Sequence, residues 1–118
     1  MVRLASLKYV HIMAYKYRWL DLALDDMANE IDFVLREFGK KAARKVETDV
    51  HDRVLQISQF PFSGEVYEDL LFHDKEVRAV RMRHISIIYC FQDEIVTLIA
   101  IWDNSQDPEK LSIIMEER

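Results

Sequence analysis

VRAVRMRHISIIYCFQDEIVTLIAIW, residues 77–102, is the stretch of this sequence that decides the expected fold. Alternating residues in the middle of this stretch predict one face of a strand: Arg83, Ile85, Ile87, Tyr89 and Phe91. After a polar turn at residues 92–94, the run 95–102 is almost wholly apolar, as expected of a strand near the centre of a covered sheet. The two runs predict an antiparallel hairpin, and residues 77–82 predict another strand before it.

Two amphipathic helices are predicted ahead of this hairpin. Apolar residues recur every three or four positions over residues 20–38, with Asp21 as a candidate N-cap and Gly39 as the residue that ends the helix. The same spacing over residues 43–57 predicts a second helix, which Pro61 closes. Because the link between them is so short, the two helices should form an antiparallel hairpin.

The order of these elements predicts the fold class. YKYRW, residues 15–19, alternates aromatic and charged side chains as a half-buried strand does, and residues 61–76 are expected to form a loop. The result is an α+β fold: an N-terminal strand, an antiparallel helical hairpin and a three-stranded antiparallel meander, with the helices packed on one sheet face. Residues 1–12 are expected to be an N-terminal extension and residues 13–118 a single domain.

Composition narrows the class of protein. The chain has 118 residues and a net charge of -5, which disfavours nucleic-acid binding over its whole surface and leaves only a local basic patch for such a contact. A single cysteine, Cys90, cannot form an internal disulfide. No apolar run reaches the length of a membrane span or a signal peptide, so a cytoplasmic protein without a membrane partner is expected.

No cofactor or metal is expected. The four histidines are scattered without metal-ligand spacing, and two glycines are too few for a phosphate-binding loop. Asp103, Ser105 and Asp107 alternate as in a calcium loop, but Pro108 stands where that loop requires glycine. Asp107 and Pro108 instead predict the start of a helix after a strand, with Asp107 as its cap.

Three stretches resemble the RelE/ParE superfamily, the toxin halves of bacterial toxin–antitoxin pairs. They are WLDLALDDMANEIDFV (19–34), VRAVRMRHISIIYCF (77–91) and LIAIWDNSQDPEKL (98–111). The resemblance implies a cognate antitoxin as partner and DNA gyrase or the ribosome as target. It also implies either a homodimer or a toxin–antitoxin hetero-oligomer as the assembled form.

The resemblance leaves three functions open. Ribosome-dependent nucleases of this family cluster Lys, Arg and often a C-terminal Tyr or His, whereas this chain ends in SIIMEER and has Ser86 and Ser105 where many members carry Arg. These departures favour a ParE-like protein that binds a target such as DNA gyrase over a RelE-like mRNA endoribonuclease. An inactive member that binds only its antitoxin is the third alternative, so whether the chain is an enzyme stays open.

Candidate site residues follow from the resemblance and from the uneven charge. The residues assigned to target binding are Arg78, Arg81, Arg83, His84, Asp103 and Gln106. The catalytic candidates, should the chain be a nuclease, are Arg81, Arg83, His84 and Tyr89. Two structural alternatives stand beside these roles: Tyr89 as a core aromatic residue, and Arg81 and Arg83 as one solvated strand face.

Overall fold

The structure, a computed structural model, describes residues 14–118. Its elements are β1 (Lys16–Trp19), α1 (Asp21–Phe38), α2 (Lys40–Gln59), β2 (Glu65–Phe72), β3 (Lys75–Met82), β4 (Ile85–Gln92), β5 (Ile95–Asp103) and α3 (Glu109–Glu117). The expected N-terminal extension, residues 1–12, and its boundary with a domain that begins at residue 13 lie outside the described residues.

The α+β fold predicted from the sequence is confirmed. The five strands form one sheet in the order β1-β5-β4-β3-β2, in which β1 is parallel to β5 and the other neighbours are antiparallel. The structure adds β2, where the sequence predicted a loop, so the meander has four strands. Pairing of β2 with β3 is irregular between Val66 and Leu71, and this edge strand therefore lacks the alternation that identifies a strand in sequence.

Three two-residue turns, ten residues apart, connect the meander. His73 and Asp74 form the first, and Asp93 and Glu94 form the third, all four with positive φ. Such a backbone suits the right-handed twist of hairpins but is usually built with Asn and Gly. Arg83, with φ of 53°, and His84 form the middle turn.

The turn at Arg83 corrects one prediction. Arg83 was expected on a strand, on the same face as Arg81, but β3 ends at Met82 and β4 begins at Ile85. The sequence carries no glycine or asparagine there to indicate a turn, so the alternating pattern was extended two residues too far.

The sheet is covered on both faces. On one face α1 and α2 pack Met27, Val50, Val54 and Ile57 against β4 and β5, as predicted for the helical hairpin. On the other face α3 contributes Leu111 and Met115. The backbone N–H of Glu109 donates to the Asp107 carboxylate at 3.0 Å, which is the hydrogen bond predicted for Asp107. Pro108, predicted in the first turn, instead occupies the N-cap position, so α3 begins one residue later than expected. The predicted cap of α1 was wrong, because Asp21 is its first helical residue and Leu20 occupies the N-cap position.

A side-chain ion pair continues the sheet edge where β1 stops. Pairing of β1 with β5 ends at Trp19 and Leu98. Beyond it, the carbonyl of Ile99 accepts from Arg118 at 2.8 Å, and the N–H of Ile101 donates to Asp26 at 3.0 Å. Arg118 binds the Asp26 carboxylate through both terminal nitrogens, at 2.6 and 2.9 Å. This pair joins α1, β5 and the end of α3 in one contact.

We expect Asp26→Ala to lower the free energy of unfolding by about 3 kcal/mol, because it leaves a largely buried guanidinium without its partner. Urea denaturation followed by circular dichroism measures the change. The matched control is Asp32→Ala, which removes a solvent-exposed i,i+4 pair with Arg36 and should cost less than about 0.5 kcal/mol. Equal losses in the two variants would show that the edge pair has no special role.

Glu94→Gly should raise the free energy of unfolding by about 1 kcal/mol, because Glu94 has φ of 62°, a conformation that glycine adopts without steric cost. The same substitution at exposed Glu47, inside α2, should instead lower stability by about 1 kcal/mol. Thermal unfolding of both variants tests the comparison, and a loss of stability in Glu94→Gly contradicts it.

Candidate functional site

One end of the sheet gathers four of the six residues predicted to bind a target. Arg83 and His84 form the β3–β4 turn, and Asp103, which ends β5, lies opposite Ile85 in the sheet register. The fourth, Gln106, lines a shallow pocket of about 280 Å³ together with Asp103 and Glu30 of α1. We call these four residues the sheet-end site. The β3–β4 turn, the end of β5 and the loop after β5 thus bring these four residues together.

Two carboxylates lie next to His84. Its Nε2 atom contacts the largely buried carboxylate of Glu30. The Asp103 carboxylate accepts the backbone N–H of Ser105 at 2.9 Å and its hydroxyl at 2.7 Å. These hydrogen bonds, first the one from the backbone, lower the pKa of Asp103 below its ordinary value. The electrostatic environment of His84 is therefore acidic.

Ser86 and Ser105, which stand where many RelE/ParE members carry arginine, both serve the local structure. The buried Ser86 hydroxyl donates to the side-chain oxygen of Asn104 at 2.8 Å, and Ser105 donates to Asp103. The N–H of Asn104 in turn donates to the His84 carbonyl at 2.8 Å. Both serines thus stiffen the joint between β5 and α3.

An apolar groove opens beside the sheet-end site, between the tip of the helical hairpin and the β3–β4 turn. It has a volume of about 360 Å³, and we call it the tip groove. Its lining residues are Val34, Phe38, Ala42, Lys45, Val46, Asp49, Met82, Arg83, His84 and Ile85. Phe38 is 69% exposed, although its helical spacing had placed it on the buried face of α1. The sequence signal that could have identified it is Gly39, because a helix that ends there leaves its last apolar side chain partly uncovered.

Arg81 and Arg78 occupy different surroundings on β3. Arg81 is exposed and, by strand alternation, lies on the face opposite the helical hairpin. Arg78 lies farther from the turn, and its guanidinium donates to the carbonyls of Phe62 and Gly64 at 3.0 and 2.8 Å. It also pairs with Glu76 at 3.0 Å. Arg78 thus holds the loop before β2 and does not join the sheet-end site.

Tyr89 holds the same loop from the protein interior. Its buried hydroxyl donates to the Pro61 carbonyl at 2.8 Å and accepts the Gly64 N–H at 2.9 Å. Gly64 lies so close to the Tyr89 ring that a Cβ atom there would clash with it. Burial raises the pKa of the Tyr89 hydroxyl above its ordinary value. These contacts favour the structural alternative for Tyr89, and the catalytic roles of Arg81, Arg83, His84 and Tyr89 stay predictions.

Among residues 14–118, no helix is both long enough and apolar enough to cross a membrane.

Comparisons with known proteins identify the family through a family model and the fold through a solved structure. A family model described as "ParE toxin of type II toxin-antitoxin system, parDE" matches residues 17–108. No curated protein sequence matches the chain. A solved structure titled "Chromosomal ParDE TA system from P. aeruginosa" is similar in fold, with a TM-score of 0.65 and 15% sequence identity. The similarity covers 76% of this chain and 96% of that chain.

The family match extends from β1 to the joint before α3, so it includes the complete helical hairpin, the sheet and the sheet-end site. The chain belongs to the ParE toxin family of type II toxin–antitoxin systems.

Proposed function

We propose that the chain is the growth-inhibiting toxin of its module, that it acts in the cytoplasm by binding a macromolecular target such as DNA gyrase, and that an antitoxin neutralises it. The observation that supports this proposal is the separation of Tyr89, the buried acid–base candidate, from the exposed Arg83 and His84. Tyr89 and Arg78 hold a loop away from the sheet-end site, whereas Arg83 and His84 are exposed on the turn.

The charges around His84 argue against RNA cleavage. Attack by a ribose 2′-oxygen requires a proton acceptor, a proton donor and cations that stabilise the charge developing at phosphorus. His84 faces Glu30 and is near Asp103, and two carboxylates repel a phosphate. A target protein with both positive and negative surface residues would not be repelled by these carboxylates. The sheet-end site therefore suits a protein target better than an RNA that is to be cleaved.

The tip groove has the chemistry expected of an antitoxin site. Val34, Val46 and Met82 offer apolar surface, while Lys45 and Arg83 lie at the same groove. An amphipathic segment could place apolar side chains in the groove and acidic side chains beside the two cations. The complex of toxin and antitoxin is then the hetero-oligomer expected for the family.

Induced expression in a bacterial host should arrest growth and leave cellular messages uncut. We expect the purified chain to inhibit DNA supercoiling by gyrase in a direct assay, because the proposed contact is with the enzyme. Translation-dependent cuts in mRNA would instead establish the nuclease alternative. If the folded protein is expressed without harm to the host, the remaining alternative is an inactive family member that binds only its antitoxin.

Tyr89→Phe provides the control for the nuclease alternative. Loss of the hydroxyl should cost about 1–2 kcal/mol of stability, because it removes an acceptor for Gly64 and a donor to Pro61. At a temperature at which the variant remains folded, growth inhibition should equal that of the unaltered chain. A folded variant without activity would show that the hydroxyl takes part in the chemistry.

Phe38→Ser should weaken binding of the antitoxin, taken as the protein encoded beside this toxin, by at least about tenfold, because aromatic side chains in apolar grooves dominate such interfaces. Isothermal titration calorimetry measures the affinity. The matched control is Phe60→Ser, a substitution of another phenylalanine that is 60% exposed but lies outside the groove. Equal affinities for the two variants would place the antitoxin elsewhere.

A further inference from the structure

Positive charge is concentrated at the tip of the helical hairpin, although the chain is acidic overall. The cations there are Lys40, Lys41, Arg44 and Lys45, in the first turns of α2, and Arg83 in the β3–β4 turn. All five residues are exposed, and Lys45 and Arg83 meet at the tip groove. We call these five residues the hairpin-tip patch. Glu37 and Glu47 are the acidic residues nearest to it in sequence.

This arrangement is unfavourable for the helix that carries it. The N-terminus of a helix is its positive end, yet the first turn of α2 has no acidic residue and its N-cap makes no side-chain hydrogen bond. Lys40 and Arg44, like Lys41 and Lys45, are like-charged neighbours at i,i+4, which repel each other. Folding therefore gives no reason for this concentration of charge.

Compensation by nearby carboxylates is slight. Of the ion pairs within residues 14–118, the one that reaches the hairpin-tip patch joins Lys45 to Asp49, at 3.4 Å and largely exposed to solvent. A group of residues that breaks local rules without an internal benefit indicates a binding surface.

We propose that the hairpin-tip patch binds the phosphate backbone of double-stranded DNA. Lys40, Lys41 and Arg44 lie outside the lining of the tip groove, so a peptide in that groove does not account for them. Exposed Lys and Arg side chains bind phosphate backbones through release of condensed counterions, and such binding needs no apolar pocket. This contact goes beyond the proposed function, because it is made with DNA itself and does not depend on which protein is the target.

The negative charge on the rest of the protein determines how the protein is oriented on the DNA. A negatively charged protein approaches DNA with its positive region foremost, because every other orientation is repelled. The hairpin tip would then face the DNA, with Arg83 at the boundary and with His84, Asp103 and Gln106 turned toward whatever protein holds that DNA. Binding by the patch alone should be weak, with a Kd in the range of about 10⁻⁴ to 10⁻⁶ M that rises steeply with salt.

The test measures fluorescence anisotropy of a labelled short DNA duplex as the full chain is added, at salt concentrations between about 50 and 200 mM. The patch variant combines Lys40→Gln, Lys41→Gln and Arg44→Gln, and leaves Arg83 of the sheet-end site unchanged. The control variant combines Lys16→Gln, Arg53→Gln and Lys110→Gln, which are exposed positions outside the patch, so both variants have the same net charge. Circular dichroism checks that both fold.

We expect the patch variant to bind DNA at least about tenfold more weakly than the unaltered chain, with a salt slope lower by about one for each cation removed. The control variant should keep most of its affinity. The melting temperature of the patch variant should be unchanged or higher, because the substitutions relieve repulsion between cations at the start of α2.

Three results would overturn the proposal. The first is equal weakening in both variants, which reports net charge and not a site. The second is the absence of binding by the unaltered chain at the lowest salt concentration. The third is binding of an acidic poly-glutamate peptide more tightly than DNA at equal salt, which would assign the patch to a protein partner. Because the assay contains no gyrase, a failure here is separate from a failure of gyrase inhibition.

Discussion

Burial of the central strand β4 on both faces is the constraint from which the rest of the structure follows. Residues 85–90 are all at most 3% exposed, although a strand presents alternate side chains to opposite sides. Each face therefore needs its own cover, and the helical hairpin and α3 supply one each. The Asp26–Arg118 pair joins the two covers at the edge of β5, where β1 is too short to continue the sheet.

The same burial separates residues with a structural role from the exposed candidate site residues. Tyr89 is on the buried strand, and its hydroxyl and the guanidinium of Arg78 hold the loop that leads from α2 into β2. Exposed chemistry remains where strands turn or end, at Arg83, His84 and Asp103. Loops and strand ends on a rigid scaffold commonly carry binding residues, so these three residues are the candidates for contact with a target.

Charge is distributed against local stability at one place, the start of α2. Four cations in its first turns oppose the helix dipole and repel one another, and the described carboxylates compensate for them only through Asp49. The fold tolerates this because the stability of α2 comes from the burial of Val50, Val54 and Ile57, farther along the helix. The first turns of α2 are therefore available for binding, while the buried residues farther along the helix stabilise the fold.

The sequence by itself determined the order of elements, the helical hairpin, the β4–β5 hairpin and the hydrogen bond to Asp107, because each depends on periodicity or on chemistry between neighbouring residues. Only the tertiary structure decided that β2 is a strand, that Arg83 and His84 form a turn, and that Tyr89 and Arg78 hold a loop. These outcomes depend on residues far apart in sequence: β2 needs β3 as its partner, and the Tyr89 hydroxyl finds Pro61 and Gly64 only after the sheet has formed. The tip groove likewise exists only where two helices and a strand turn meet, so no single segment could have indicated it.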